Sequence, residues 1–183
     1  MKMARISAPF FLRCGLRHGL DQPMRKLLFL LVMPAWILAG ELPPGFDGLR
    51  WTESVAAMPD AMKLAETPLF KCYRRGEGMA HLGDTTVTNL RLCFADDRFY
   101  FVQMEVGGEK DFSAILAYAK SQWGDPKPVQ RSSEAYAWGG GQEKIYIELE
   151  FSKLDDRGTL AYVYLPIFRE TQEASRRLNK SSQ

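Results

Sequence analysis

Apolar and polar residues alternate most regularly in "TTVTNLRLCFADDRFYFVQMEV". Leu90, Leu92 and Phe94 alternate with Arg91 and Cys93. After the turn "ADDR", Tyr100, Val102, Met104 and Val106 alternate with Phe99, Phe101, Gln103 and Glu105. A period of two is what a half-buried antiparallel pair requires, so this stretch predicts a hairpin. "KIYIELEF" predicts another strand, with Ile145, Ile147, Leu149 and Phe151 on one side and Tyr146, Glu148 and Glu150 on the other. "SSEAYAW" before it and "TLAYVYLPIF" after it are also strand-like, as is Leu69 to Arg75.

The period changes to helical between two of these groups. Phe112, Ile115, Leu116, Ala119 and Trp123 fall on one face of a helix capped by Asp111. Gly124 stops this helix and Pro126 prevents its continuation. A shorter helical pattern, Val55, Ala56 and Met58, follows a cap at Thr52. Pro166 ends the last strand or marks an edge. "RETQEASRRL" then has a weak helical pattern, and residues 171–183 read as a polar tail. The order is helix and three strands, then helix and three strands. It predicts an α+β domain: an antiparallel sheet of about six strands with helices on one face, built from a duplicated α-β-β-β unit.

The N-terminal segment has a different pattern. "MRKLLFLLVMPAWILAG", residues 24–40, joins a short basic head to an apolar run that Pro34 interrupts. The run is shorter than the roughly 20 residues a spanning helix needs, and it has the layout of a signal peptide. Residues 1–23 then read as an over-extended leader and 41–170 as a single domain. The expected location is periplasmic or secreted, with no membrane span after cleavage. Cys72 and Cys93 remain after cleavage, both in strand-like runs. An even pair in an oxidising compartment predicts a disulfide.

Excluding the leader also changes the charge. The chain has 24 basic and 22 acidic residues, and residues 1–40 hold six and one of them. The remainder has 18 and 21, a net charge of −3, with no basic stripe for nucleic acid.

The search for chemistry yields little. His81 is the only histidine after residue 40 and cannot build a His-rich metal site alone. "WGGGQEK" lacks the Ser or Thr and the helix of a phosphate loop, and reads as a hairpin turn. No catalytic residue, metal site or cofactor is expected. Glu148 and Glu150 lie about 7 Å apart if they share a strand face, which leaves a hydrolase of envelope polymer as an alternative. The aromatics suggest recognition instead. If Tyr136, Trp138, Tyr146, Tyr162 and Tyr164 share a face with Glu148 and Glu150, the sheet presents a tyrosine-rich, acid-rimmed surface to a protein or envelope partner. A small-ligand carrier with an aromatic pocket is a third reading.

"FDGLRW", "FADDRFYFV", "WGDP" and "YAWGGGQEKIYIELEF" resemble motifs of small uncharacterised exported bacterial proteins that open with F-x-G-[IL]-x-W-G. Here Thr52 stands in place of the glycine after Trp51. In layout alone the chain is also similar to the beta-lactamase inhibitor protein and to the small lipoprotein of the outer-membrane assembly machine. The resemblance offers no catalytic residues and implies an exported binding module.

Overall fold

The computed structural model describes residues 41–129 and 133–181; the leader and the signal segment expected at 24–40 lie outside them. A short ribbon, β1 (Gly45–Phe46) and β2 (Leu49–Arg50), leads to a single 3-10 turn at Val55–Ala57. Ser54, not Thr52, caps that turn by accepting from the Ala56 N–H. Then come β3 (Ala61–Glu66), β4 (Lys71–Arg75), β5 (Ala80–Leu82), β6 (Thr85–Ala95), β7 (Arg98–Val106) and α1 (Glu109–Trp123). The second half contains β8 (Lys127–Pro128), β9 (Glu134–Gly139), β10 (Ile145–Ser152), β11 (Arg157–Tyr164) and α2 (Leu165–Ser181).

The fold is α+β, as expected, but among the described residues the main sheet has nine strands rather than about six. Its order is β3-β4-β6-β7-β11-β10-β9-β8, with β5 paired to β6. All its pairings are antiparallel. Each half is a meander followed by a helix, and β7 and β11 join the two halves at the centre. This differs from the helix-first repeat expected from the sequence: among the described residues, only one 3-10 turn precedes the first meander.

The helices lie on opposite faces of the sheet. Phe112, Ile115 and Ala119 of α1 pack with Leu92, Val102, Met104, Ile147, Leu149 and Leu160 in the main core, on what we call the front face. Gly158 gives α1 its seat: a Cβ there would lie 3.1 Å from Val106 Cβ and 3.5 Å from the Phe112 ring. Leu49, Trp51 and Met58 cover the rest of the front face, and Trp51 stacks on Phe99 at 4.9 Å. On the back face, Ile167 and Phe168 of α2 pack with Cys72, Cys93, Ala95, Tyr100 and Phe101. Helices on a single face would have left these back-face residues uncovered.

A bulge in β7 corrects the predicted alternation. Cys93 pairs with Phe101 but Phe94 pairs with Phe99, so Tyr100 is an extra residue on β7. Such an insertion inverts the faces of the residues before it. Phe99 therefore joins Val102, Met104 and Val106 in the front core, while Tyr100 turns to the back.

Several local expectations hold. Asp96 and Asp97 form the β6–β7 turn with φ of 47° and 60°, a left-handed geometry that Asp tolerates better than most residues. Gly139, Gly140 and Gly141 all have positive φ in the β9–β10 connection. At Gly139 a Cβ would fall 2.2 Å from the Ile145 carbonyl oxygen, so only glycine fits. Gly124 stops α1 with φ 79° and donates to the Lys120 carbonyl. Asp111 lies in the first turn of α1 rather than at its cap, which is Gly108. Pro166 is the second residue of α2, where its missing N–H costs the helix nothing. The helix runs on to Ser181 through most of the expected tail.

Cys72 and Cys93 are directly opposite on β4 and β6, Cα atoms 4.0 Å apart, and form the expected disulfide. Among the described residues, no helix is long and apolar enough to cross a membrane.

Candidate functional site

The antiparallel register divides the residues expected to form one aromatic surface. Trp138 pairs with Ile147, Tyr136 with Leu149, Tyr162 with both Ile147 and Val102, and Tyr164 with Ile145. Directly paired residues share a face, so these four aromatics are on the front face with the core. Tyr162 is 2% exposed and Trp138 3%. The indole N–H of Trp138 donates to the Gly124 carbonyl at 2.8 Å, tying β9 to the end of α1. Tyr164 stacks near Trp51 at 6.1 Å. Tyr136 packs against the Phe112 ring and donates to Glu134; that hydrogen bond raises its hydroxyl above the usual phenol range.

Tyr146, Glu148 and Glu150 are on the back face, paired with Val163, Ala161 and Thr159. All three are half-buried. The Tyr146 hydroxyl donates to Glu148, and Ser133 donates to Glu150. The carboxylates thus share a face as expected, but four of the five aromatics do not. "TLAYVY" has apolar residues at both parities, so its pattern cannot choose a side. Pairing with β7 and β10 chooses it.

The back face has a different feature that the sequence reading did not assemble. Between β3 and α2 lies a groove of about 570 Å3, lined by Leu64, Phe70, Phe101, Phe168, Tyr100 and the Cys72–Cys93 disulfide, with Arg91 and Gln103 at its polar end. Burial pushes the Tyr100 hydroxyl up to about 12, because its charged form would lose solvation there. Among the described residues β3 is an edge strand, paired only with β4. On it Met62 is 51% exposed and Leu64 45%, so an apolar rim continues the groove to the sheet edge. A bulge between Lys63 and Ala65 brings Leu64 to the groove beside Ala65, which pairs with Cys72.

Charge on this edge is locally satisfied. Glu66 bridges Lys63 at 2.7 Å and Lys71 at 3.1 Å, and these bonds hold its carboxyl below the usual range. Arg74 donates to the Met62 sulfur at 3.1 Å, keeping that side chain over the edge.

The missed residues had a weak sequence signal. "AMKLAE" alternates, but Ala, Met, Lys, Leu and Glu all favour helix, so local preference argues against the strand that β4 imposes. Phe101 is an apolar residue that shares its parity with Gln103 and Glu105. Among the described residues, no group of three or more His, Cys, Asp or Glu side chains is placed to hold a metal. Compared with protein-family models, with characterised proteins and with solved structures, the chain matches none.

Proposed function

We propose that this chain is an exported, non-enzymatic binding domain that engages a protein partner of the bacterial envelope through the back face of its sheet. The observation that carries this reading is the apolar groove open to an unpaired strand edge, with Leu64 and Met62 exposed at its rim. Edge strands are ordinarily blunted, because free N–H and C=O groups recruit other strands. An extended segment adding to β3 would gain main-chain hydrogen bonds and place alternate side chains in the groove, a recurrent mode of peptide recognition. Arg91, exposed at the groove's polar end, suits an acidic residue of that segment. Tyr146, Glu148 and Glu150 belong to the same face and extend it past α2. Tyr136, Trp138, Tyr162 and Tyr164 lie on the opposite, front face.

Neither Glu148 nor Glu150 lines this groove, so no specific observation favours the hydrolase alternative.

The test is capture from native envelope extract with tagged protein and with Leu64→Asp. A charge at the rim should remove the specific partner while the variant keeps its unfolding midpoint. Equal capture by both proteins would sink the reading.

A further inference from the structure

A second concavity lies on the front face, independent of the back-face groove. It is a cleft of about 560 Å3 between β1, β5 and the C-terminal half of α1, lined by Phe46, His81, Tyr118, Gln122, Trp123 and Tyr162. Its size is within the range of about 300–1,000 Å3 typical of small-molecule sites. Tyr162 closes the floor. Its ring lies 5.2 Å from Phe46 and meets Trp123 edge-on at 5.7 Å, and Trp123 in turn meets Tyr118 at 6.3 Å. Gly83, φ +59°, makes room for the Tyr118 ring, which a Cβ would approach to 3.1 Å.

The Tyr162 hydroxyl is the informative group. Among the described residues none hydrogen-bonds to it, although the side chain is 2% exposed. Desolvation raises it well above the usual phenol range, with Tyr118 adding to the shift. The oxygen is nevertheless not an unsatisfied buried atom, so it reaches the cleft that the side chain lines. Phenylalanine would make the same ring contacts without presenting that oxygen. The hydroxyl is therefore a polar group presented to the cleft rather than one used by the core.

The other polar groups are of mixed character. His81 Nδ1 is engaged by Thr86 at 3.2 Å, which leaves Nε2 for a ligand. The Gln122 amide both donates and accepts, and Glu41 and Asp47 add carboxylates at the mouth. No Lys or Arg lines the cleft among the described residues, which argues against an anionic ligand. Aromatic walls suit a ligand with flat C–H faces, and groups that both donate and accept suit hydroxyls. A quaternary ammonium would use the rings but leave the donors idle.

We propose that this cleft binds a neutral saccharide unit, with the Tyr162 hydroxyl as the hydrogen-bonding group at its floor and Trp123 as its aromatic wall. The site stands apart from the proposed partner surface, so either can fail without the other.

The experiment is saturation-transfer NMR on the disulfide-intact protein at millimolar probe, with glucose, N-acetylglucosamine, cellobiose and chitobiose, and choline as the cationic comparator. At least one saccharide should receive saturation and quench tryptophan fluorescence. Tyr162→Phe should weaken that binding about fivefold to tenfold, the value of one hydrogen bond, and leave the unfolding midpoint unchanged or raised. Should that variant lose its fold, Gln122→Ala on the exposed side of α1 is read in the same way. Saturation of choline alone, no transfer to any saccharide, or equal saccharide affinity in the variant would each overturn the proposal.

Discussion

The two faces of the sheet are made by the same strands yet are covered to different extents. On the front, α1 and the N-terminal wrap of Leu49, Trp51 and Met58 close over a continuous core. On the back, α2 reaches only the centre, packing Ile167 and Phe168 on Tyr100 and Phe101, and leaves an apolar groove running to β3. The front face holds the fold together. The back face keeps apolar surface available, and its main local brace is covalent. A small satellite cluster such as Cys72, Cys93, Ala95, Tyr100 and Ile167 has few neighbours to stabilise it, and the disulfide supplies what packing does not.

Tyr162→Ala should show the largest effect. It empties a buried site in the front core and should cost about 3–5 kcal/mol, as large-to-small aromatic changes do. Urea unfolding measures it. A cost below about 1 kcal/mol would mean that the front face is no better packed than the back, and the contrast would collapse.

Removing the back-face brace should come next. Cys72→Ala with Cys93→Ala should destabilise by about 3 kcal/mol through the lost loop constraint, and reducing agent should reproduce the loss in the wild type. If neither lowers the urea midpoint, packing alone holds β4 to β6.

Alkaline pH should then report on the Tyr100 hydroxyl at the back-face groove. The Tyr100 hydroxyl, ordinarily near 10, is pushed up to about 12 by burial. The fold thus holds its proton more tightly than the unfolded chain does. The associated stability is complete below about pH 10 and falls as pH rises from about 10 to about 12. Rapid unfolding measurements in that window should show a shallower decline for Tyr100→Phe than for wild type. Identical declines would show that this hydroxyl does not feel the groove.

The smallest effects should come from the rim. Leu64→Ser and Tyr146→Ala should each change stability by less than about 1 kcal/mol, since neither side chain belongs to either core cluster. A cost on the scale of the Tyr162 change would show that the back face is structural and would remove the basis of the proposed docking surface.

Local features were legible in the chain alone. Strict alternation in "KIYIELEF" identified β10 and its two faces. Asp96–Asp97 and the Gly139–Gly141 run marked turns, because few other residues tolerate positive φ. Gly124 fixed the end of α1, and Cys72 and Cys93 in strand-like runs anticipated their bond. Each of these follows from backbone sterics or a period of two, which need no knowledge of distant residues. Features that depend on neighbours were set by pairing and packing. In β11 both parities are apolar, so pairing with β7 and β10 sent Tyr162 inward and Ala161 outward. In β7 one extra residue inverted the side of Tyr100, a shift visible only against Cys93 and Phe94 on the facing strand. β3 is built of helix-favouring residues and is a strand because β4 offers it an edge. α2 lies on the back because β11 ends at the centre of the sheet, beside β7, where the apolar side chains of Ile167 and Phe168 find Tyr100 and Phe101. A period of two establishes which residues share a face, but only non-local pairing and packing establish which face becomes the core.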